Sequence, residues 1–351
     1  MYQTDLKNAE IFNELLDELY DNIKLEQVRA GEHIRSRITE QEPSIRDEKL
    51  LAKSMLFDAR LEMLKGNLDK GEKLLEGAAD AFVLTGENLY YYHFFKGLLL
   101  YRQNKLQEAI VQYERAESFL SVEINPREVS DFYYKLANTY YYMNMTAFSV
   151  LNANKAIEAA FQYNQELQLA KCRMLQGLNH MYLADFRKAE DLFLSALQHD
   201  ATESELQLPM YIHHNLGILY FKQNQLEKAM GQFEQSMQYK HPEYYLKSLY
   251  YVTESSFRLG MKDRAMEYFT EGFALSKKRD EDTYKWMFAM LHKQYVDKDS
   301  FELVWREGIE YFQSIEDENS VRHFSERLAK YYTDNHDFEK ASRYYYLLAL
   351  K

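Results

Sequence analysis

Asn215 stands between His214 and Leu216 in an apolar, helix-forming stretch, where asparagine is a poor helix former and needs a reason to be present. A carboxamide donates and accepts at once, so it can hold the backbone amide of a bound strand without demanding any particular sequence. Asn138 falls on the matching face of an earlier helical stretch. Tyr142, Leu178, Tyr182, Tyr211, Tyr251 and Glu254 share that face by the three- and four-residue spacing of a helix. Their rings, one aliphatic chain and one charge suit an extended peptide. Catalytic patterns are missing: there is no phosphate-binding glycine loop, no Gly-x-Ser-x-Gly and no His-Glu-x-x-His. His213 and His214 are adjacent, so they point to different helix faces and cannot share a metal. Cys172, between Lys171 and Arg173, is in a setting that could lower a thiol pKa, but it reads as a passive thiol. Glu14, Asp17, Glu18 and Asp21 form a solvated helix face. The residues point to binding, with no metal and no cofactor.

The elements that position these groups are read from a repeat. Gly97, Ala137, Gly177 and Gly217 recur every 40 residues, as do Ala109, Ser149, Ala189 and Ala229. Tyr113, Ala153, Phe193 and Phe233 follow at the same interval, then Ala116, Ala156, Ala196 and Ser236. Small, small, aromatic, small at these separations is the internal signature of a tetratricopeptide (TPR) hairpin, whose two helices approach closely at the small positions. Further hairpins are expected at about 244–277, 284–315 (with its small positions lost) and 319–351. The fold class is all-α: a helical bundle over 1–85, then a right-handed TPR superhelix of six to seven hairpins over 86–351. Asn or Asp in the turns at Asn104, Asn144, Asp185 and Asn224 tolerates the left-handed conformation that ends a helix. Pro126, Pro209 and Pro242 are expected between hairpins, where a missing N–H costs least. The first helix of each TPR hairpin lines the concave face. Asp131, Lys135, Asn138 and Tyr142 are then its groove positions in one repeat, and Lys171, Leu175, Leu178 and Tyr182 in the next.

Composition agrees. Only 4 prolines and 12 glycines in 351 residues are too few for a loop-rich fold. A net charge of −12 would repel a phosphate backbone, which argues against nucleic-acid binding. The first 65 residues also lack a basic recognition helix. A single cysteine excludes an intrachain disulfide. No apolar run is long enough to span a membrane and no signal pattern opens the chain, so a cytoplasmic protein is expected.

KLANTYYYMNMTAFSVLNANKAIE (135–158) closely resembles the Rap family, the response-regulator aspartate phosphatases of Gram-positive bacteria, in its Tyr-Tyr-Tyr-Met run and the following Thr-x-Phe-Ser. FFKGLLLYRQNKLQEAIVQYERAE (94–117), NLGILYFKQNQLEKAMGQFEQS (215–236) and LAKYYTDNHDFEKASRYYY (328–346) resemble the same family's other repeats. The resemblance implies an N-terminal bundle that binds a response regulator and a TPR groove that takes a short signalling peptide controlling sporulation or competence. It implies that Asn215 clamps the peptide backbone. An aspartate used by the family falls at Tyr182 here. The family's Glu-Glu-Asp-Gln motif, whose glutamine orients the hydrolytic water, aligns through LFDARLEML (56–64) with Ile45-Arg46-Asp47-Glu48, so Glu48 takes the catalytic glutamine's place. A carboxylate there repels a phosphoryl group. The implied function is therefore binding and inhibition of a response regulator. Active phosphatase chemistry is the alternative, and a passive TPR scaffold the third reading.

Overall fold

Residues 2–120, 124–199 and 207–349 are described by a computed structural model, in which they form eighteen α-helices and no strand. The chain divides into two compact units, Met1–His199 and Asp200–Lys351. The first contains α1 (Tyr2–Lys24), α2 (Val28–Gln41), a single 3-10 turn (Glu42–Ser44), α3 (Glu48–Leu64), α4 (Leu68–Ala81), α5 (Glu87–Arg102), α6 (Leu106–Glu117), α7 (Glu128–Tyr142), α8 (Thr146–Gln162), α9 (Glu166–Tyr182) and α10 (Phe186–Ala196). The second contains α11 (Gln207–Lys222), α12 (Leu226–Met237), α13 (Pro242–Arg258), α14 (Lys262–Arg279), α15 (Asp282–Tyr295), α16 (Phe301–Ser314), α17 (Glu318–Asp334) and α18 (Phe338–Ala349).

Successive helices pair as hairpins through one turn chemistry. Asn104, Asn144 and Asn224 adopt φ of 60°, 57° and 60°. The next residue's N–H then reaches the carbonyl five back: Lys105 to Leu100, Met145 to Tyr140 and Gln225 to Tyr220, each at 2.9 Å. The turn before α10 departs from expectation. There Ala184, not Asp185, is left-handed (φ 58°), and Asp185 instead accepts from the Lys188 N–H at the start of α10. Glu26 closes α1 to α2 in the same way (φ 57°), so the turn extends beyond the regular repeats. Pro242 opens α13 and Pro209 lies in the first turn of α11, inside the helices rather than between them. A first-turn N–H has no helical partner, so proline is harmless there.

The small positions have a steric cause. A methyl on Gly97, Gly177 or Gly217 would lie 2.5, 2.5 and 2.6 Å from the rings of Tyr113, Phe193 and Phe233. The second repeat solves the same gap differently: Ala137 carries the methyl, and Ala153 replaces the ring. The hairpin of α15 and α16, expected to have lost this device, inverts it. Gly308 on the second helix makes room for Met290 on the first, whose sulfur would meet an added methyl at 2.6 Å.

No gap in the core marks residue 85. One hydrophobic cluster runs from Phe12 in α1 to Leu136 in α7. Tyr20 stacks on Phe57 of α3 at 4.6 Å, and both meet Tyr91 of α5 edge-on, at 5.2 and 4.9 Å. The four N-terminal helices thus bury their apolar stripes against the first repeats.

Candidate functional site

In the first unit the face of α7 meets the end of α1. Glu128, the first residue of α7, is 1% exposed and accepts from Tyr20 Oη (2.8 Å) and Lys24 Nζ (2.9 Å). Burial pushes its carboxyl upward, while the Lys24 charge and both hydrogen bonds oppose that shift. Further along α7, Asn138 is half-buried and its amide donates to Tyr101 Oη at 2.9 Å, so this candidate is already engaged. Tyr142 stands edge-on to Tyr101 and is 58% exposed; Tyr182 on α9 is 59% exposed, with Leu178 half-buried. Leu175, expected on the open face, is buried against Ala137, Ala153 and Tyr134. The gap left where a ring is replaced by Ala153 draws it inward. Glu48 is exposed at the start of α3, with Asp47 capping that helix ahead of it.

In the second unit Asn215 lies half-buried on α11, and its amide has no hydrogen-bond partner among the described residues. Tyr211, one turn earlier, packs edge-on against Tyr244 at 4.7 Å. Tyr251 on α13 lies flat on Phe233 (5.2 Å) and edge-on to Phe221 (5.3 Å). Burial and then the Glu254 charge push its hydroxyl up to about 12, so it remains a donor at any ordinary pH. Glu254 is 3% exposed, and Arg327 of α17 holds its carboxylate at 3.0 and 3.1 Å while also donating to Gln294 at 2.7 Å. A carboxylate so held is not offered to a ligand while that pair stands. Of the two asparagines singled out by sequence, only Asn215 leaves its carboxamide uncommitted.

The other reactive groups are packed away. His213 Nδ1 lies 2.8 Å from Gln232 Oε1 and His214 Nδ1 lies 3.0 Å from Ser248 Oγ. Burial pushes the Cys172 thiol well above its ordinary range, outweighing Lys171 beside it. Among the described residues no three His, Cys, Asp or Glu side chains could hold a metal, and no helix is long and apolar enough to cross a membrane.

No protein-family model matches the chain. Response regulator aspartate phosphatase I of Bacillus subtilis (strain 168) is 26% identical over 349 residues, covering 94% of this chain and 88% of the relative. The apo form of RapI superposes with a TM-score of 0.80 at 25% identity, covering 97% of this chain and 96% of that one. The chain is thus similar to Rap proteins along nearly its whole length. A Rap protein complexed with competence and sporulation factor shares the fold, with a TM-score of 0.77 at 20% identity and 97% of each chain covered. The similarity therefore extends over both units, while Glu128, Arg60 and Arg327 are features of this structure that sequence reading passed over. A signal was present in Arg60, which follows Leu56 at helical spacing on the apolar stripe of α3. Arg327 gave no comparable sign, because its partner lies 73 residues away.

Proposed function

We propose that this chain is a peptide-regulated signalling protein. Its first 85 residues bind a response regulator and inhibit it, and a short signalling peptide held on the first helices of the repeats controls that activity. Two things support the reading: full-length similarity to Rap proteins, and the complexes with signalling peptides formed by its structural neighbours. The single observation that carries the peptide assignment is the carboxamide of Asn215, beside Tyr211 on α11 and without a hydrogen-bond partner among the described residues. Asn215→Ala is expected to abolish binding of the cognate peptide by calorimetry while leaving helicity intact; unchanged affinity removes Asn215 from the site.

A second reading, hydrolysis of the regulator's aspartyl phosphate, is favoured by the name of the relative above. Against it, Glu48 places a carboxylate where the family pattern has a neutral amide. A carboxylate adds repulsion at a phosphoryl group instead of orienting its water. Incubating the chain with a phosphorylated response regulator separates the two. Stable label with formation of a complex supports sequestration. Rapid loss of label that Glu48→Ala abolishes overturns it.

A further inference from the structure

Arg60 projects from α3 into the seam with α5 and α7 and is only 7% exposed. Its guanidinium is charged at every accessible pH, and burying such a charge without a partner is among the costliest things a protein can do. Yet Nη1 has no acceptor, and Arg60 forms no ion pair or hydrogen bond with any described residue. Lys135, on the facing turn of α7, also lacks an ion pair among the described residues; its ammonium lies 5.5 Å from the Tyr134 ring centroid. Arg102 of α5 donates only to the Met63 carbonyl at 3.3 Å. These three cations line one cavity of about 110 Å³. On the same scale a single water needs only about 10–15 Å³. A smaller adjoining cavity shares Arg60 and Lys135 and adds Lys171.

The sign of the charge identifies what belongs there. Arg60, Arg102, Lys135 and Lys171 face two carboxylates, Glu26 and Asp131, so four positive charges against two negative leave a local surplus of two in a chain whose net charge is −12. Lys24, also on the wall, is committed to Glu128 and Asp21. Neutral donors complete the lining. The hydroxyls of Tyr113 and Tyr101 line it, and Asn138, whose amide donates to Tyr101 Oη at 2.9 Å, keeps a second N–H. Donors that converge from three separate helices fit a ligand with acceptors in several directions better than a flat carboxylate.

We propose that the seam between α3, α5 and α7 is a binding site for a small tetrahedral oxyanion of the phosphate class, gripped by Arg60, Lys135 and Arg102. Bound there, the anion ties the N-terminal helices to the first two repeats and neutralises the buried guanidinium. The site shares Lys135 and Asn138 with the expected peptide groove, so it is tested on the full chain with neither peptide nor response regulator present.

The probe is inorganic phosphate, titrated by calorimetry and followed by thermal unfolding, with ionic strength held constant by exchange against chloride. Saturable binding and a rising melting temperature are expected for the unmodified chain. Arg60→Met and Lys135→Gln are each expected to weaken binding by roughly tenfold or more. If Arg60→Met does not fold, Lys135→Gln alone decides. A chain that responds to phosphate no more than to chloride overturns the proposal, as does a Lys135→Gln variant that binds as tightly as the unmodified protein.

Discussion

Acidification should weaken the second unit through one residue, His214. Its ring is 6% exposed, edge-on to Phe233 and Tyr244, with Nδ1 on Ser248 Oγ. Burial, reinforced by the charge of Lys247, holds its pKa down to about 3. In the unfolded chain an imidazole titrates near ~6.5. Between those values the unfolded state binds the extra proton, so stability is complete above about 6.5 and falls as the pH drops towards 3. One proton corresponds to ~1.4 kcal/mol per pH unit, which integrates to about 2 kcal/mol lost between roughly pH 7.5 and pH 5. His214→Gln keeps a hydrogen-bonding group near Ser248 and removes the proton. Urea unfolding of both proteins at several pH values measures the difference. His323, held down to about 4 by burial and Arg327, acts with the same sign; Asp58, pushed up to about 6 by burial, acts with the opposite one. Both are common to the two proteins and cancel. The unmodified chain should lose about 2 kcal/mol more than the variant across that range. Parallel stability curves would refute the reasoning, because they would mean that the imidazole is as easily protonated folded as unfolded.

Two further outcomes follow from packing. Gly177→Ala should destabilise by about 1–3 kcal/mol in chemical denaturation, because the added methyl meets the Phe193 ring at 2.5 Å, although alanine is the better helix former. Gly231→Ala, on α12 with nothing within 4 Å, should instead stabilise by roughly 0.5–1 kcal/mol. Arg327→Met should cost about 3–5 kcal/mol, because it leaves the Glu254 carboxylate buried and unpaired. Adding Glu254→Gln to it should recover part of that loss; a strictly additive double variant would show that the pair is not coupled.

Much of this molecule could be read from spacing. The 40-residue recurrence led to hairpins because each glycine answers a ring on the partner helix, a local constraint written into both residues. Turn asparagines were equally legible, since φ near 60° favours few side chains. Ala184 was not, because there the fold imposes the conformation on a residue that does not ask for it. Exposure differs among the expected groove positions. Tyr142 and Tyr182 are exposed as their phase required, whereas Leu175 turned inward to fill the space left by Ala153.

By itself the sequence determined the helices, their pairing and the face that Asn215 occupies, because those depend on contacts a few residues to one repeat apart. Only the tertiary structure decided which polar groups are free. Asn138 and Asn215 look alike as letters, but Tyr101 takes the amide of the first and no described residue takes that of the second. Glu254 looks open until Arg327 arrives from 73 residues away, and Arg60, though it sits on an apolar stripe, shows its lack of a partner only once α5 and α7 close over it. Periodicity reports which way a side chain points, whereas the balance of charge and hydrogen bonding around it depends on partners distant in the chain.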